Sequence, residues 1–354
     1  MKKFLSIALL SSITFALSAC ADTSTPVDTS NLVGVSMPTQ DLQRWNQDGA
    51  NMKAQLEKAG YTVDLQFAAN DIATQVSQIE NMIASGVQTL VIGSIDGSSL
   101  GTVMAQAKAN DIEVIAYDRL IMDTDAISYY ATFDNWDVGV KQGEYIVNKL
   151  DLDSTDETYT IEFITGDPGD NNINFFFGGA MSVLQPYLDA GTLECLSGQT
   201  EQTEVATTNW ATDAAQARFE NILASYYADE DLDIVLASND STAQGVANAL
   251  VSSYDGDYPL LTGQDCDIVS VQNIIAGKQE MSVFKDTRML AEKTVEMVDA
   301  LMKGSEPPIN DTTTYDNGTG IIPSYLCEPV IATINNYEEL LIDTGYYTPE
   351  EVQP

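Results

Sequence analysis

The 354-residue chain contains no histidine. Without an imidazole, Ser-His-Asp and Cys-His nucleophile systems and the His-bearing zinc signatures are excluded, and with them most common hydrolases. Basic residues are scarce as well: 15 Lys and Arg stand against 53 Asp and Glu, a net charge of −38. A field of that sign repels nucleic acid and anionic lipid surfaces, so neither is an expected partner. It fits a heavily hydrated surface suited to a salty habitat. Cysteine is limited to Cys20, Cys195, Cys266 and Cys327, with no CxxC pair. The last three can form at most one disulfide and are expected as small buried fillers, not catalytic thiols. The apolar run from Phe4 to about Leu17 is too short to span a membrane as a mature helix.

That run has a different use. Met1-Lys2-Lys3, the apolar stretch and Leu17-Ser18-Ala19-Cys20 follow the basic, apolar, small-residue order of an export signal. Leu-Ser-Ala-Cys resembles the lipobox of bacterial lipoproteins, which implies a signal peptide over 1–19, cleavage before Cys20 and a lipid on that cysteine. Residues 20–30, rich in Ser, Thr and Asp, then read as a flexible, lipid-anchored tether. Loss of Lys2 and Lys3 with the signal would leave 13 basic residues and a net charge of −40.

About 325 residues follow, more than one hydrophobic core usually serves, so two domains are expected. From Leu32 apolar runs of strand length alternate with amphipathic helices, the βαβ rhythm of a parallel sheet. Strands are expected at Leu32–Met37, Thr62–Ala68, Thr89–Gly93, Ile112–Tyr117 and Tyr129–Phe133, with helices between them. Val76, Ile79, Met82 and Ile83 share one helix face, as do Leu100, Val103, Met104 and Ala107. After the acidic loop Asp151–Glu157 a second α/β series runs to Phe284. A helix over Thr287–Met302 stops at Gly304 with Pro307-Pro308 beyond. Ile321–Val330, bearing Pro323 and Pro329, reads as a connector and edge strand.

Ligands of open α/β sheets bind just past the carboxyl ends of the strands. In both series those positions carry Arg44-Trp45, Asp118-Arg119, Asp134-Asn135, Asp170-Asn171-Asn172, Trp210, Asn239-Asp240, Gln264-Asp265 and Phe284-Lys285. Planar amides, carboxylates and guanidinium groups grip neighbouring hydroxyls in pairs, and an indole covers an apolar C–H face, so the set suits a neutral polyol. Asp151, Asp153, Thr155 and Glu162 mimic EF-hand positions, but Asp156 stands where that loop needs Gly, so an acidic surface turn is expected and no metal.

These phrases, with Gln78-Ile79-Glu80-Asn81-Met82, resemble the bacterial solute-binding proteins of sugar ABC transporters, type I periplasmic binding proteins of the xylose-binding and ChvE-like multiple-sugar-binding branch. The likeness runs from about Leu32 to Tyr347. It implies two Rossmann-like parallel-sheet lobes joined by a three-strand hinge and closing on one monosaccharide: lobe 1 from 31–135 plus 285–318, lobe 2 from 136–284 plus 319–354. Carried over residue by residue, the ligand contacts would be Arg44, Trp45, Asp118, Arg119, Asn172, Trp210, Asn239, Asp265 and Lys285. Asp134, Asn135, Asn171, Asp240 and Gln264 are further candidates. Phe175-Phe176-Phe177 reads equally as core or as stacking surface. Gly166-Asp167 and Ser241 depart from the family pattern beside contacts, which leaves the sugar unspecified. The implied protein is an exported, lipid-anchored monomer without cofactor that delivers an aldopyranose to an ABC permease. A sugar-sensing co-receptor for a chemoreceptor or sensor kinase uses the same pocket. A glycoside hydrolase built on Asp118, Asp240 and Asp265 is disfavoured, because Arg119 beside Asp118 lowers the pKa that a general acid needs raised.

Overall fold

The computed structural model describes residues 30–353; the expected signal peptide, Cys20 and all of the expected tether but Ser30 lie outside the described residues. In chain order the elements are β1 (Leu32–Met37), α1 (Gln43–Lys58), β2 (Thr62–Phe67), α2 (Ile72–Ala84), β3 (Thr89–Ile92), α3 (Gly101–Ala109), β4 (Glu113–Tyr117), β5 (Tyr129–Phe133) and α4 (Asn135–Leu150). They continue as β6 (Tyr159–Ile164), α5 (Asn172–Ala190), β7 (Leu193–Glu194), α6 (Thr212–Tyr226), β8 (Ile234–Ala237), α7 (Asp240–Ser253), β9 (Leu260–Leu261) and α8 (Ile268–Ile275). The last are β10 (Met281–Phe284), α9 (Thr287–Met302), β11 (Ser324–Cys327) and β12 (Val330–Thr333), before a π turn at Glu338–Ile342.

Lobe 1 is a six-stranded parallel sheet in the order β11-β5-β4-β3-β1-β2. Every residue of β1 is buried, as a strand covered on both faces must be, which explains a run that is apolar but for Ser36. One face packs on α2 and α3 through Ile79, Met82, Val103 and Met104, the other on α1 and α9 through Met52, Leu56, Leu290 and Val298. Lobe 2 holds the parallel sheet β7-β6-β8-β9, continued by a bridge from Gln264 to Val283 and the antiparallel pair β10-β12. Helices α4 and α5 cross so closely that a Cβ on Gly139 would lie 2.0 Å from the Phe176 carbonyl oxygen, so only glycine serves there.

The chain passes between lobes at β5–α4, β10–α9 and β11–β12. At the third, residues 319–327, expected with lobe 2, instead extend the lobe 1 sheet, with β11 parallel to β5 from Ser324 opposite Tyr130 to Cys327 opposite Phe133. Asn317 joins the same lobe, its amide donating to the carbonyls of Ile121 (3.1 Å) and Thr124 (2.8 Å). The prolines flanking this strand mark it as an edge but do not encode which sheet it edges, and the open backbone of β5 decides that. Beyond β12 the chain stays with lobe 2, where Leu341, Tyr347 and Val352 pack on Cys266, Val271 and Phe284.

Candidate functional site

The strand ends of the two sheets face each other across a narrow cavity whose open volume is about 20 Å³, on the order of one water molecule. Leu42, Arg44, Trp45, Asp118 and Arg119 line it from lobe 1, and Asp170, Asn172, Phe176, Trp210, Asn239, Gln264 and Asp265 from lobe 2; Lys285, at the second crossing, completes the wall. All but Leu42 are buried. Three of them hold left-handed backbone: Asp118 (φ 59°), Trp210 (φ 55°) and Asp265 (φ 99°). Non-glycine residues adopt this region at a cost and persist there where their surroundings impose it, a condition concentrated at functional sites.

The local fold aims each group inward. Arg44 sits in the first turn of α1 and is gripped by Asp48, one turn later, at 2.9 Å. Its Nη2 also meets Asp118 Oδ1 at 2.9 Å, and its Nη1 reaches Asp265 Oδ1 of the other lobe at 3.4 Å. Lys285 Nζ lies 3.1 Å from Asp265 and 3.6 Å from Asp118. Arg119 Nε pairs with Asp170 at 3.0 Å, while its Nη1 donates to the Ser94 and Ile95 carbonyls. Trp210 Nε1 donates to the same Asp170 oxygen at 3.2 Å. Arg44 and Arg119 both lie over the Trp45 ring, 4.6 and 5.1 Å from its centroid, so the indole is fixed by two cations. Phe176 meets Trp210 edge to face at 6.2 Å.

Trp210 is also held from behind. A Cβ on Gly166 would fall 1.9 Å from the indole, so the ring occupies the space that any other residue would fill. Here the departure Gly166-Asp167 has a structural meaning: the glycine is a socket, and Asp167 accepts a hydrogen bond from the backbone N–H of Asn209, in the short helical turn at Thr208–Trp210 that carries the indole.

Electrostatics separates the carboxylates. Burial alone would raise Asp118, but Arg44, Lys285 and Arg119 hold it below the ordinary carboxylate range. Burial raises Asp48 to about 6 against the pull of Arg44, and its Oδ1 accepts a 2.5 Å hydrogen bond from Tyr117. Asp170 is raised by burial in spite of Arg119. Asp240 is raised to about 7 by burial and then by the Asp265 charge.

All nine contacts carried over from the resemblance line this one cavity, and so does Gln264. Asn172 faces it, whereas Asn171 turns away to receive the Asn174 amide. Asp134 is the N-cap of α4, accepting from the Asp137 N–H, and stays outside the cavity. Asn135 is the first helical residue and donates to Asn172 Oδ1 at 3.0 Å from behind the wall. Asp240 lies behind Asp265, held by Ser282, Gln279 and the Asp267 N–H. Glu162 points into lobe 2, accepting from Ser197 and Tyr227. Sequence reasoning missed Leu42 and Asp48 altogether and used Tyr117 only as the end of a strand. The i to i+4 spacing of Arg44 and Asp48 was the available signal for the latter pair.

Residues 33–306 match the model of the periplasmic binding protein domain. The chain is 46% identical over 325 residues to the multiple sugar-binding periplasmic receptor ChvE of Rhizobium radiobacter, covering 91% of this chain and 92% of that one. It is 34% identical over 320 residues to the D-xylose-binding periplasmic protein of Escherichia coli, with coverages of 90% and 91%. Among solved structures, an ABC transporter solute-binding protein from Clostridium phytofermentans with bound β-D-glucose superposes with a TM-score of 0.90 at 63% identity, over 91% of this chain and 100% of that one. A carbohydrate transporter solute-binding protein from Chloroflexus aurantiacus in complex with D-glucose gives 0.83 at 34% identity, over 90% and 97%. With the two-lobed fold and the cavity at the facing strand ends, these likenesses establish that the chain belongs to the periplasmic binding proteins, type I, in the branch of the multiple-sugar-binding and xylose-binding proteins.

Proposed function

We propose that this protein is an extracytoplasmic receptor that encloses one neutral aldopyranose, with glucose and xylose as leading candidates, and hands it to an ABC permease unaltered. The observation that carries this reading is the charge balance of the cavity wall. Asp118, Asp170 and Asp265 pair with Arg44, Arg119 and Lys285, so three anions and three cations cancel within the wall. An anionic or cationic ligand would enter with no compensating charge, whereas a polyol needs none. Two buried atoms of the wall, Trp45 Nε1 and Gln264 Oε1, have no hydrogen-bond partner among the described residues. A hydroxyl that both donates and accepts satisfies such atoms. The relatives' bound glucose and xylose are of this chemical class.

On this reading the site residues are the cavity-lining set, the lobes close about the three crossings, and the protein acts as a monomer held at the membrane by a lipid on Cys20. Asp118, held below the ordinary carboxylate range by its cations, is unsuited to act as a general acid. Presentation of the loaded form to a sensor is a second use of the same closed state, supported by the receptor among the relatives.

The test is tryptophan fluorescence of the purified protein titrated with glucose, xylose, galactose, arabinose, fucose and ribose. Trp45 and Trp210 line the cavity, while Trp136 is 45% exposed and serves as an internal reference for external quenchers. A saturable change with one or more aldopyranoses is expected, and no release of nitrophenol from nitrophenyl glycosides. Silence toward all six sugars, with the melting temperature unmoved, refutes the ligand class.

A further inference from the structure

We propose that Tyr347, in the C-terminal tail, is a positioning residue of the ligand site: its hydroxyl joins the α1 turn that carries Arg44 to the loop that carries Asp265, and thereby holds the lobes closed on their ligand. A phenol offers one donor and two acceptor positions. At Tyr347 all three are used. The hydroxyl donates to the Cys266 carbonyl of lobe 2 at 2.8 Å and accepts from the lobe 1 amides of Gln43 at 2.6 Å and Gln47 at 3.1 Å. Gln43 is committed at its other end too, its Oε1 accepting from the Ile268 N–H of lobe 2 at 3.0 Å.

Position gives this junction its role. Gln43 precedes Arg44 and Cys266 follows Asp265, so each member of the cross-cleft Arg44–Asp265 pair is next in sequence to a residue that bonds the hydroxyl. The lengths of these hydrogen bonds therefore help set the separation of the two halves of the wall. Parting α1 from the Asp265 loop breaks the junction, and the half-buried amides and the buried phenol lose these partners. The ring itself is 4% exposed and packed edge to face on Tyr346 at 4.8 Å, which keeps the hydroxyl from swinging to follow one lobe. None of these atoms lines the cavity, so the effect reaches the ligand only through Arg44 and Asp265.

The role in ligand retention rests on the sugar reading above; the role in closure does not. Tyr347→Phe removes one oxygen and keeps the ring. With β-D-glucose as probe, the expected result in calorimetry and stopped-flow fluorescence is a Kd raised about tenfold, the equivalent of one to two net hydrogen bonds. The change lies in faster dissociation, with the association rate kept. Gln43→Ala produces the same split, and the double variant falls short of the sum of the two singles, because the Gln43–Tyr347 hydrogen bond is lost in either. Gln43→Ala also stands in for Tyr347→Phe if the latter does not fold. Gln272→Ala loosens the tail at Glu351 and Gln353 away from the junction and leaves both rates at wild type. Wild-type dissociation in Tyr347→Phe, or additive effects in the double variant, overturns the proposal. If the wild-type protein binds no sugar at all, the sugar reading fails and closure is judged by small-angle scattering alone. There a larger radius of gyration in Tyr347→Phe than in wild type supports the junction, and equal radii refute it.

Discussion

Replacing Asp118 with Asn tests the charge arithmetic of the cavity with almost no change of shape. The carboxylate meets Arg44 at 2.9 Å and Lys285 at 3.6 Å. Breaking a buried ion pair ordinarily costs about 3–5 kcal/mol because a cation is stranded. Here neither cation is stranded: Arg44 keeps Asp48 at 2.9 Å and Asp265 at 3.4 Å, and Lys285 keeps Asp265 at 3.1 Å. The expected loss of stability is therefore smaller, about 1–2 kcal/mol, or a fall in melting temperature of roughly 2–5 °C for a chain of this size. Binding suffers more. A charge-assisted hydrogen bond to a sugar hydroxyl is worth about 1.5–3 kcal/mol, so the Kd for glucose rises roughly 10- to 150-fold. Isothermal calorimetry and differential scanning fluorimetry on the same preparation measure both quantities. Unchanged glucose affinity would remove Asp118 from the site, and a fall of more than about 10 °C would show that the neighbouring carboxylates do not compensate for it.

Gly166→Ala puts a methyl group into the Trp210 ring and forces the indole off the cavity wall; overpacking of about 1–3 kcal/mol corresponds to roughly 5- to 150-fold weaker glucose binding by titration. Gly191→Ala, where φ is +76° and the space around it is open, lowers the melting temperature and leaves the Kd alone. Asp48 and Asp240 have folded pKa values near 6 and 7, raised by burial above an unfolded value near 4. Their contribution is fully present below pH ~4 and lost as pH rises through 6 to 7, so the melting temperature climbs between pH 7.5 and 5, and Asp240→Asn flattens that slope. Burial raises the Cys266 thiol well above its ordinary range and Cys327 to about 12, while burial and Glu162 raise the half-buried Cys195. A thiol reagent at pH 8 should therefore label the native protein slowly, reaching Cys195 first, and all three cysteines rapidly after denaturation.

The parts of the fold legible in the sequence are those that local physics determines. Strands β1 and β5 and helix α9 begin and end where their apolar runs and caps place them, since a strand buried on both faces must be largely apolar. The partner of β11, the short β12 and the π turn depend on contacts far along the chain, which no local pattern specifies. The site divides in the same way. The polar pairs past the strand ends stood out because a buried carboxylate or guanidinium there needs a reason. Leu42 did not, since a leucine before a helix is ordinary until its cavity is seen. Asp134 and Asn135 share the strand-end position of true wall residues but are used to start and brace α4.

The late return of β11 to the first sheet sets an order of assembly. Lobe 2 has most of its sheet and helices within one continuous stretch, from α4 to β10, and its layers can form as soon as that stretch is free. Lobe 1 must wait. Until residue 327 arrives, β5 presents a bare edge of unpaired backbone groups, the kind of surface that recruits foreign strands. A chain released from synthesis or export short of that residue thus has one nearly complete half and one half with an open seam. Its aggregation would track the missing edge rather than any loss from the ligand pocket.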